Sequence, residues 1–268
     1  MLSKFKKNRF YQSLLQRRER TIEYKNYQER FAVPLKKIKN IHKGERCFVI
    51  GNGPSLTADD LTCLKNEYTF ASNMIYRLFD KTEWRPTYYC ISDQGVLAKV
   101  LDEGAFLYLN PEYFFFQYYS KFVFNNRPYP DNSLLYYLED AKDYNKSPRF
   151  ACDLSKEAYD AQTVTYIMLQ IAAYMGFHEI YLIGVDHSFA KTVSNSGKIE
   201  HHDVKWHFYD DKKAEKDVSL TYAERMTMGY ESAERYSKKH GFRIYNATRG
   251  GKLEAFERVD FDTLVFED

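Results

Sequence analysis

The sequence predicts an α/β fold, a mainly parallel sheet with helices on both faces plus an N-terminal helical appendage. Three observations carry this. Apolar runs of strand length recur at Arg46–Ile50, Tyr68–Ser72, 87–92 and 178–186, and unbroken apolar runs mark strands buried on both faces. Helical periodicity lies between them, clearest over 158–175, where Val164, Ile167, Met168, Ile171 and Ala172 share a stripe. The two kinds of segment alternate along the chain, which implies a doubly wound, Rossmann-like sheet.

Residues 1–43 form the appendage. Lys4, Lys6, Lys7, Arg9, Arg17, Arg18 and Arg20 crowd its start, and Phe5, Phe10, Leu14, Leu15, Ile22 and Tyr24 recur at a loose helical spacing. The pattern fits a solvated helix packed by one face. It also fits a basic amphipathic helix resting on anionic lipid, or an oligomer contact. Residues 44–268 read as one domain. After the strand at 46–50, a helix is expected over 58–64, a strand at 68–72, a crossover over 74–84 and a strand at 87–92. A helix over 94–103 and a fourth strand at 105–109 follow. The stretch 110–157 is irregular, with an aromatic run over 113–119, strand character at Lys121–Phe124, and turns at Pro128, Pro130 and Asp131-Asn132. It is either a surface excursion or a lid-like insertion over a site. The helix over 158–175 stops at Gly176, and a strand covers 178–186. Residues 190–219 are polar. A helix over 220–240, a last strand at 242–245 and a loop over 246–251 complete the chain.

Composition narrows the function. A hydrophobic fraction of 44% in 268 residues supports one large core. A net charge of +2 makes no case for a nucleic-acid partner. Cys47, Cys63, Cys90 and Cys152 show no metal-ligand spacing, and Cys47 and Cys90 read as core thiols. No secretory signal pattern and no long apolar span occurs, so a cytoplasmic protein is expected, at most peripheral on the inner face of the cell membrane.

The chemistry is expected at the strand ends. Gly51-Asn52-Gly53-Pro54-Ser55 links the first strand to a helix. Glycines there let backbone approach an anion, with N–H groups and the helix dipole aimed at it. The turn is not the dinucleotide fingerprint, because Leu56 replaces its third glycine and Asn73 ends the second strand where a ribose-binding carboxylate is expected. There is no G-K-[ST] of a Walker motif. A parallel sheet would gather Asn52, Asn73, Asp93, Asp186 and Asn246 on its carboxyl edge.

These motifs resemble those of one superfamily. They are Gly51-Asn52-Gly53-Pro54-Ser55-Leu56, Ser72-Asn73, Ile91-Ser92-Asp93, the block 176–186 and the block 245–254. The superfamily contains bacterial lipooligosaccharide sialyltransferases, motility accessory factor glycosyltransferases and 6-hydroxymethylpterin diphosphokinase-like proteins, and the resemblance spans roughly 44–262. The sialyltransferase branch implies that Asn52, Gly53 and Ser55 hold donor phosphate and ribose and that Asn73 contacts the nucleotide, and Gly51 of the same turn is expected in the nucleotide site with them. Asp93 falls where that branch carries asparagine. Thr163 and Thr165 fall near a donor-side serine, and Ala161 replaces an expected arginine. The resemblance implies a glycosyltransferase with a nucleotide-sugar donor, CMP-activated in the sialyltransferases, and a glycan or glycolipid acceptor. This reaction would need no metal. Its general base would be a histidine from the loop after the Gly-Val-Asp strand, which here offers His201, His202 and His207, with His187 beside Asp186. A near-neutral imidazole suits removal of a sugar hydroxyl proton. The alternative is a diphosphokinase-like enzyme using ATP and Mg²⁺, with Asp93 and Asp186 as ligands. A nucleotide-binding scaffold is a third reading.

Overall fold

The computed structural model describes residues 9–125, 127–139, 143–194, 196–205, 207–209 and 221–264. Lys4, Lys6, Lys7 and Phe5 of the appendage lie outside them. Helices α1 (Arg9–Arg30) and α2 (Ala32–Lys37) lead to strand β1 (Arg46–Ile50). Then follow α3 (Ala58–Cys63), β2 (Tyr68–Ser72), β3 (Tyr88–Ile91), α4 (Gln94–Asp102), β4 (Tyr113–Gln117), α5 (Lys121–Phe124) and β5 (Ser133–Tyr136). Short strands β6 (Leu138–Glu139) and β7 (Ala158–Tyr159) precede α6 (Val164–Met175) and β8 (Glu179–Ile183). A hairpin of β9 (Lys191–Val193) and β10 (Ile199–His201) comes next, then α7 (Ala223–His240), β11 (Arg243–Asn246) and β12 (Glu257–Arg258).

Eight strands form one sheet in the order β12-β11-β8-β1-β2-β3-β4-β5, and every pairing is parallel. The period-2 alternation of a strand splits its side chains between two cores. Cys47, Val49, Phe70, Tyr88, Cys90, Phe115, Ile180 and Leu182 join one face with residues of α1, α2, α6 and α7. Phe48, Ile50, Ala71, Tyr89, Ile91, Phe114, Phe116 and Ile183 join the other with Leu61, Leu97 and Val100 of α3 and α4. The mainly parallel α/β sheet expected from the sequence is therefore the one observed.

Four local expectations are corrected. Residues 105–109 are not a strand: Ala105–Leu107 is a 3-10 turn after Gly104 at φ 65°, with Leu107 85% exposed. The next strand is β4, and both β4 and β5 lie inside the stretch read as irregular. Lys121–Phe124 is a helical turn, ended by Asn125 at φ 44°. The helix expected from 158 starts at Val164, because Ala158–Tyr159 pairs with β6, Gln162 turns to φ 60° and Thr163 caps the helix. The strand over 242–245 is not the last, since β12 extends the sheet beyond it. Among the described residues no helix is long and apolar enough to cross a membrane.

Candidate functional site

From β1 the chain winds outward through β2 to β5, then returns to the other side of β1 with β8. The switch point, where such sheets bind ligands, lies beyond β1 and β8. Residues 51–55 leave β1 and 184–186 leave β8. Gly51 N donates to the Ile183 carbonyl and Gly53 N to the Gly184 carbonyl, both at 2.8 Å. A Cβ on Gly51 would lie 2.2 Å from the Gly184 oxygen, and one on Gly53 1.9 Å from Asp186 Oδ2. Ser55 Oγ donates to the same Asp186 oxygen at 2.8 Å. The glycines thus admit the neighbouring strand end. The N–H groups of Gly51 and Gly53, expected to face an anion, are instead spent on the carbonyls of Ile183 and Gly184. The N-terminus of α3 is likewise closed by a reciprocal Thr57–Asp60 capping box.

A cleft of about 1320 Å³ opens beside this turn. Gly51, Asn52, Gly53, Asn73, Asp93 and Asp186 line it, as do Thr163, Thr165, His202 and His207. Ser55 and His201 do not. Asn52 Nδ2 donates to the Ser72 carbonyl at 3.2 Å, which leaves Asn52 Oδ1 buried with no hydrogen-bond partner among the described residues. Asn73 Oδ1 is buried in the same condition. Burial raises the Asp186 carboxyl above its usual range, against the lowering effect of the Ser55 hydrogen bonds. Asp93 caps α4, accepting from Val96 N at 2.7 Å. Thr163 caps α6, and Tyr230 lines the cleft beside Thr163 and Thr165. Asn246 is no part of the cleft: it accepts from Thr248 N and donates to the Leu253 carbonyl, holding its own loop.

Residues not singled out from sequence also line the cleft. Lys99, Lys191 and Lys205 bring positive charge to it. Lys99 had a signal, since it lies one helical turn after Val96 and hence on the face of α4 that starts at Asp93. Asn73, Gln162 and His187 all line the cleft with left-handed φ of 53°, 60° and 52°. Non-glycine residues held there concentrate at functional sites.

The histidines occupy different settings. His202 lines the cleft, with Nε2 at 3.1 Å from Thr192 Oγ1. His201 sits on the exposed strand β10, outside the cleft, as neighbours in extended chain point apart. His207 Nδ1 donates to the Asn52 carbonyl at 3.3 Å, and its ring stacks on Tyr209 at 4.9 Å. His187 Nε2 is 2.8 Å from Thr227 Oγ1, and burial pushes its pKa down to about 4. Among the described residues no three His, Cys, Asp or Glu gather as a metal cluster.

The chain matches the family model described as 6-hydroxymethylpterin diphosphokinase MptE-like over residues 22–192. It belongs to the MptE-like family. The MptE-like fold is shared with the MAf glycosyltransferase from Magnetospirillum magneticum AMB-1, with a TM-score of 0.51 at 15% identity over 90% of this chain. The match spans 39% of that protein. The sialyltransferase CstII from Campylobacter jejuni, in complex with cytidine-5'-monophosphate, gives a TM-score of 0.48 at 17% identity, over 81% of this chain and 85% of that one. CstII with CMP-3FNeuAc gives 0.47 at 14% identity, over 80% and 86%. No curated protein matches the MptE-like chain in sequence.

Proposed function

We propose that this MptE-like protein is a glycosyltransferase that takes a nucleotide-activated sugar as donor and a hydroxyl of a glycan or glycolipid as acceptor. One observation carries the reading. Asn52 and Asn73 both line the cleft at the switch point of a parallel sheet, and the amide oxygen of each is buried with no hydrogen-bond donor among the described residues. A buried acceptor left unmade costs about 1–3 kcal/mol, and a small turn of either side chain toward a bound nucleoside would let a hydroxyl or amino group supply the donor. Lys99, Lys191 and Lys205 supply charge for the donor phosphates.

In this reading the bond between the anomeric carbon and the phosphate oxygen breaks, and its electron pair leaves with the nucleotide. The acceptor oxygen bonds to the anomeric carbon while its proton passes to the His202 imidazole. His202 is the choice on geometry: it borders the cleft, whereas His201 does not and His207 is turned to the Asn52 carbonyl. His187 is a weak base with its pKa near 4.

The family match favours a second reading, in which pyrophosphate passes from ATP to a small heterocyclic alcohol with Mg²⁺. Its natural metal ligands, Asp186 and Asp93, are each already engaged, by Ser55 and by the Val96 N–H. A thermal-shift panel of CMP, CDP, UDP, GDP and ATP with and without Mg²⁺ separates the two. A raised midpoint from a pyrimidine nucleotide without metal supports the transferase, and one from ATP with Mg²⁺ alone supports the diphosphokinase. With the donor base known, His202→Ala should keep the nucleotide shift and lose about 10²–10⁴-fold in transfer rate. Full turnover in that variant would remove His202 as the base.

A further inference from the structure

The cleft continues into a second compartment of about 540 Å³ between the β9–β10 hairpin and the start of α7. His187, Ser188, Phe189 and His202 border both compartments. Thr192, Ser194, Ser196 and Glu200 of the hairpin close one side, and Glu224 and Lys252 the other. Lys252 comes from the loop that wraps Asp186, its own N–H donating to the Asp186 carbonyl at 2.7 Å.

We propose that this second compartment is the acceptor subsite and that it takes a sugar ring. The inference rests on the glycosyltransferase reading. Its volume lies within the about 300–1,000 Å³ usual for small-molecule sites. A sugar ring offers an apolar C–H face and a rim of hydroxyls. The Phe189 ring suits the face, and the Ser194 and Ser196 hydroxyls, 2.8 Å from each other, with the Glu200 carboxylate that pairs with Lys198, form a polar rim with lone pairs left for sugar hydroxyls. The lining sets Glu200 and Glu224 against Lys198 and Lys252, with Lys198 2.6 Å from Glu200, so it holds no excess positive charge to draw a polyanion and a second nucleotide is the poorer fit. The position of His202 ties the compartments together, since an acceptor hydroxyl in the second and a donor carbon in the first would border the same imidazole.

Saturation-transfer-difference NMR on the full chain tests this. The probes are methyl glycosides of glucose, galactose and N-acetylglucosamine, each with and without the nucleotide that most raises the melting point. Ser196→Trp fills the compartment from an exposed turn, and Glu200→Ala removes a rim acceptor from an exposed strand. At least one glycoside is expected to give a signal with the wild type, and the signal should fall about fivefold or more in both variants. The nucleotide-induced melting shift should persist in both, which also shows that they are folded. No signal from any glycoside, or signals unchanged in both variants, overturns the acceptor subsite while a nucleotide shift leaves the donor site intact. Glycoside signals that the variants abolish, in a protein that no nucleotide shifts, support the sugar site and overturn the transferase reading.

Discussion

His187 shows how much one side chain at the cleft contributes to the pH response. Its pKa falls from an ordinary value near 6.5 to about 4 because burial disfavours the charged ring. In the interval between those values the unfolded chain holds more protons than the folded one. The stability is therefore fully present above pH 6.5 and is lost as pH falls toward 4, to an extent of up to about 3 kcal/mol. Asparagine tolerates the left-handed φ of 52° at this position and does not titrate. We expect wild type to lose more stability than His187→Asn between pH 7 and pH 4.5 in urea unfolding. Parallel losses would mean that the ring is hydrated and titrates normally. The sequence pointed to the residues at this edge but not to their partners. Asn52, Asn73 and Asp186 were legible as strand-end polar groups, because a parallel sheet puts its carboxyl ends together. The engagement of Asp186 by Ser55, 131 residues away, depends on β1 and β8 being neighbours, which no local pattern reveals.

At the scale of elements, α7 carries a packing constraint that runs against helix propensity. Gly229 lies mid-helix, where alanine normally gains about 1 kcal/mol. Here an added Cβ would sit 2.5 Å from Ala161 Cβ and 3.5 Å from the Tyr166 ring. Gly229→Ala should therefore destabilise the protein by about 1–3 kcal/mol, the usual cost of overpacking. Adding Ala161→Gly should restore part of the loss, because it vacates the clashing position. Urea denaturation of the wild type, the single variant and the double variant decides it, and a single Gly229→Ala variant more stable than wild type would refute the close contact. Elements were legible where burial is two-sided. β1, β2, β3 and β8 are mostly apolar and are read to within one residue at their ends, except that β8 stops at Ile183, three residues short of Asp186. The 105–109 run failed because only part of it is packed: Ala105 and Leu109 are buried, while Leu107 and Tyr108 face solvent from a 3-10 turn, so composition alone misled. β4 was hidden by its aromatic content, which fits a strand and a surface cluster equally well until Phe114 and Phe116 are placed against Phe106 and Phe124, and β5 by its four-residue length between turns.

At the scale of the whole molecule, the N-terminal segment is bound into the core of the sheet. Tyr27, Ala32, Leu35 and Ile38 are at most 2% exposed and share one apolar cluster with β1, β3, β5 and α6. The Tyr27 ring meets those of Tyr118 and Tyr137 at 5.7 and 5.5 Å. Glu23 accepts from the Tyr119 hydroxyl at 3.0 Å and pairs with Lys121 at 3.3 Å, and Gln28 donates to the Ser155 carbonyl at 3.0 Å. Burying Tyr27, Leu35 and Ile38 alone is worth about 5–9 kcal/mol at about 1.5–3 kcal/mol each. That is comparable to the about 5–15 kcal/mol that holds a whole domain folded. Arg18, Arg20 and Arg30 are exposed on this segment and suit a lipid or protein contact, while Tyr27, Leu35 and Ile38 pack into the core beneath the sheet. A chain lacking residues 1–38 is therefore expected to lose cooperative unfolding and its near-ultraviolet circular dichroism, and to elute as an expanded or associated species. If the shortened chain instead melts cooperatively near the wild-type midpoint and keeps its nucleotide-induced shift, then the cluster of Tyr27, Leu35 and Ile38 is dispensable, and the sheet is held by the strand-to-helix packing of residues 44–264 alone.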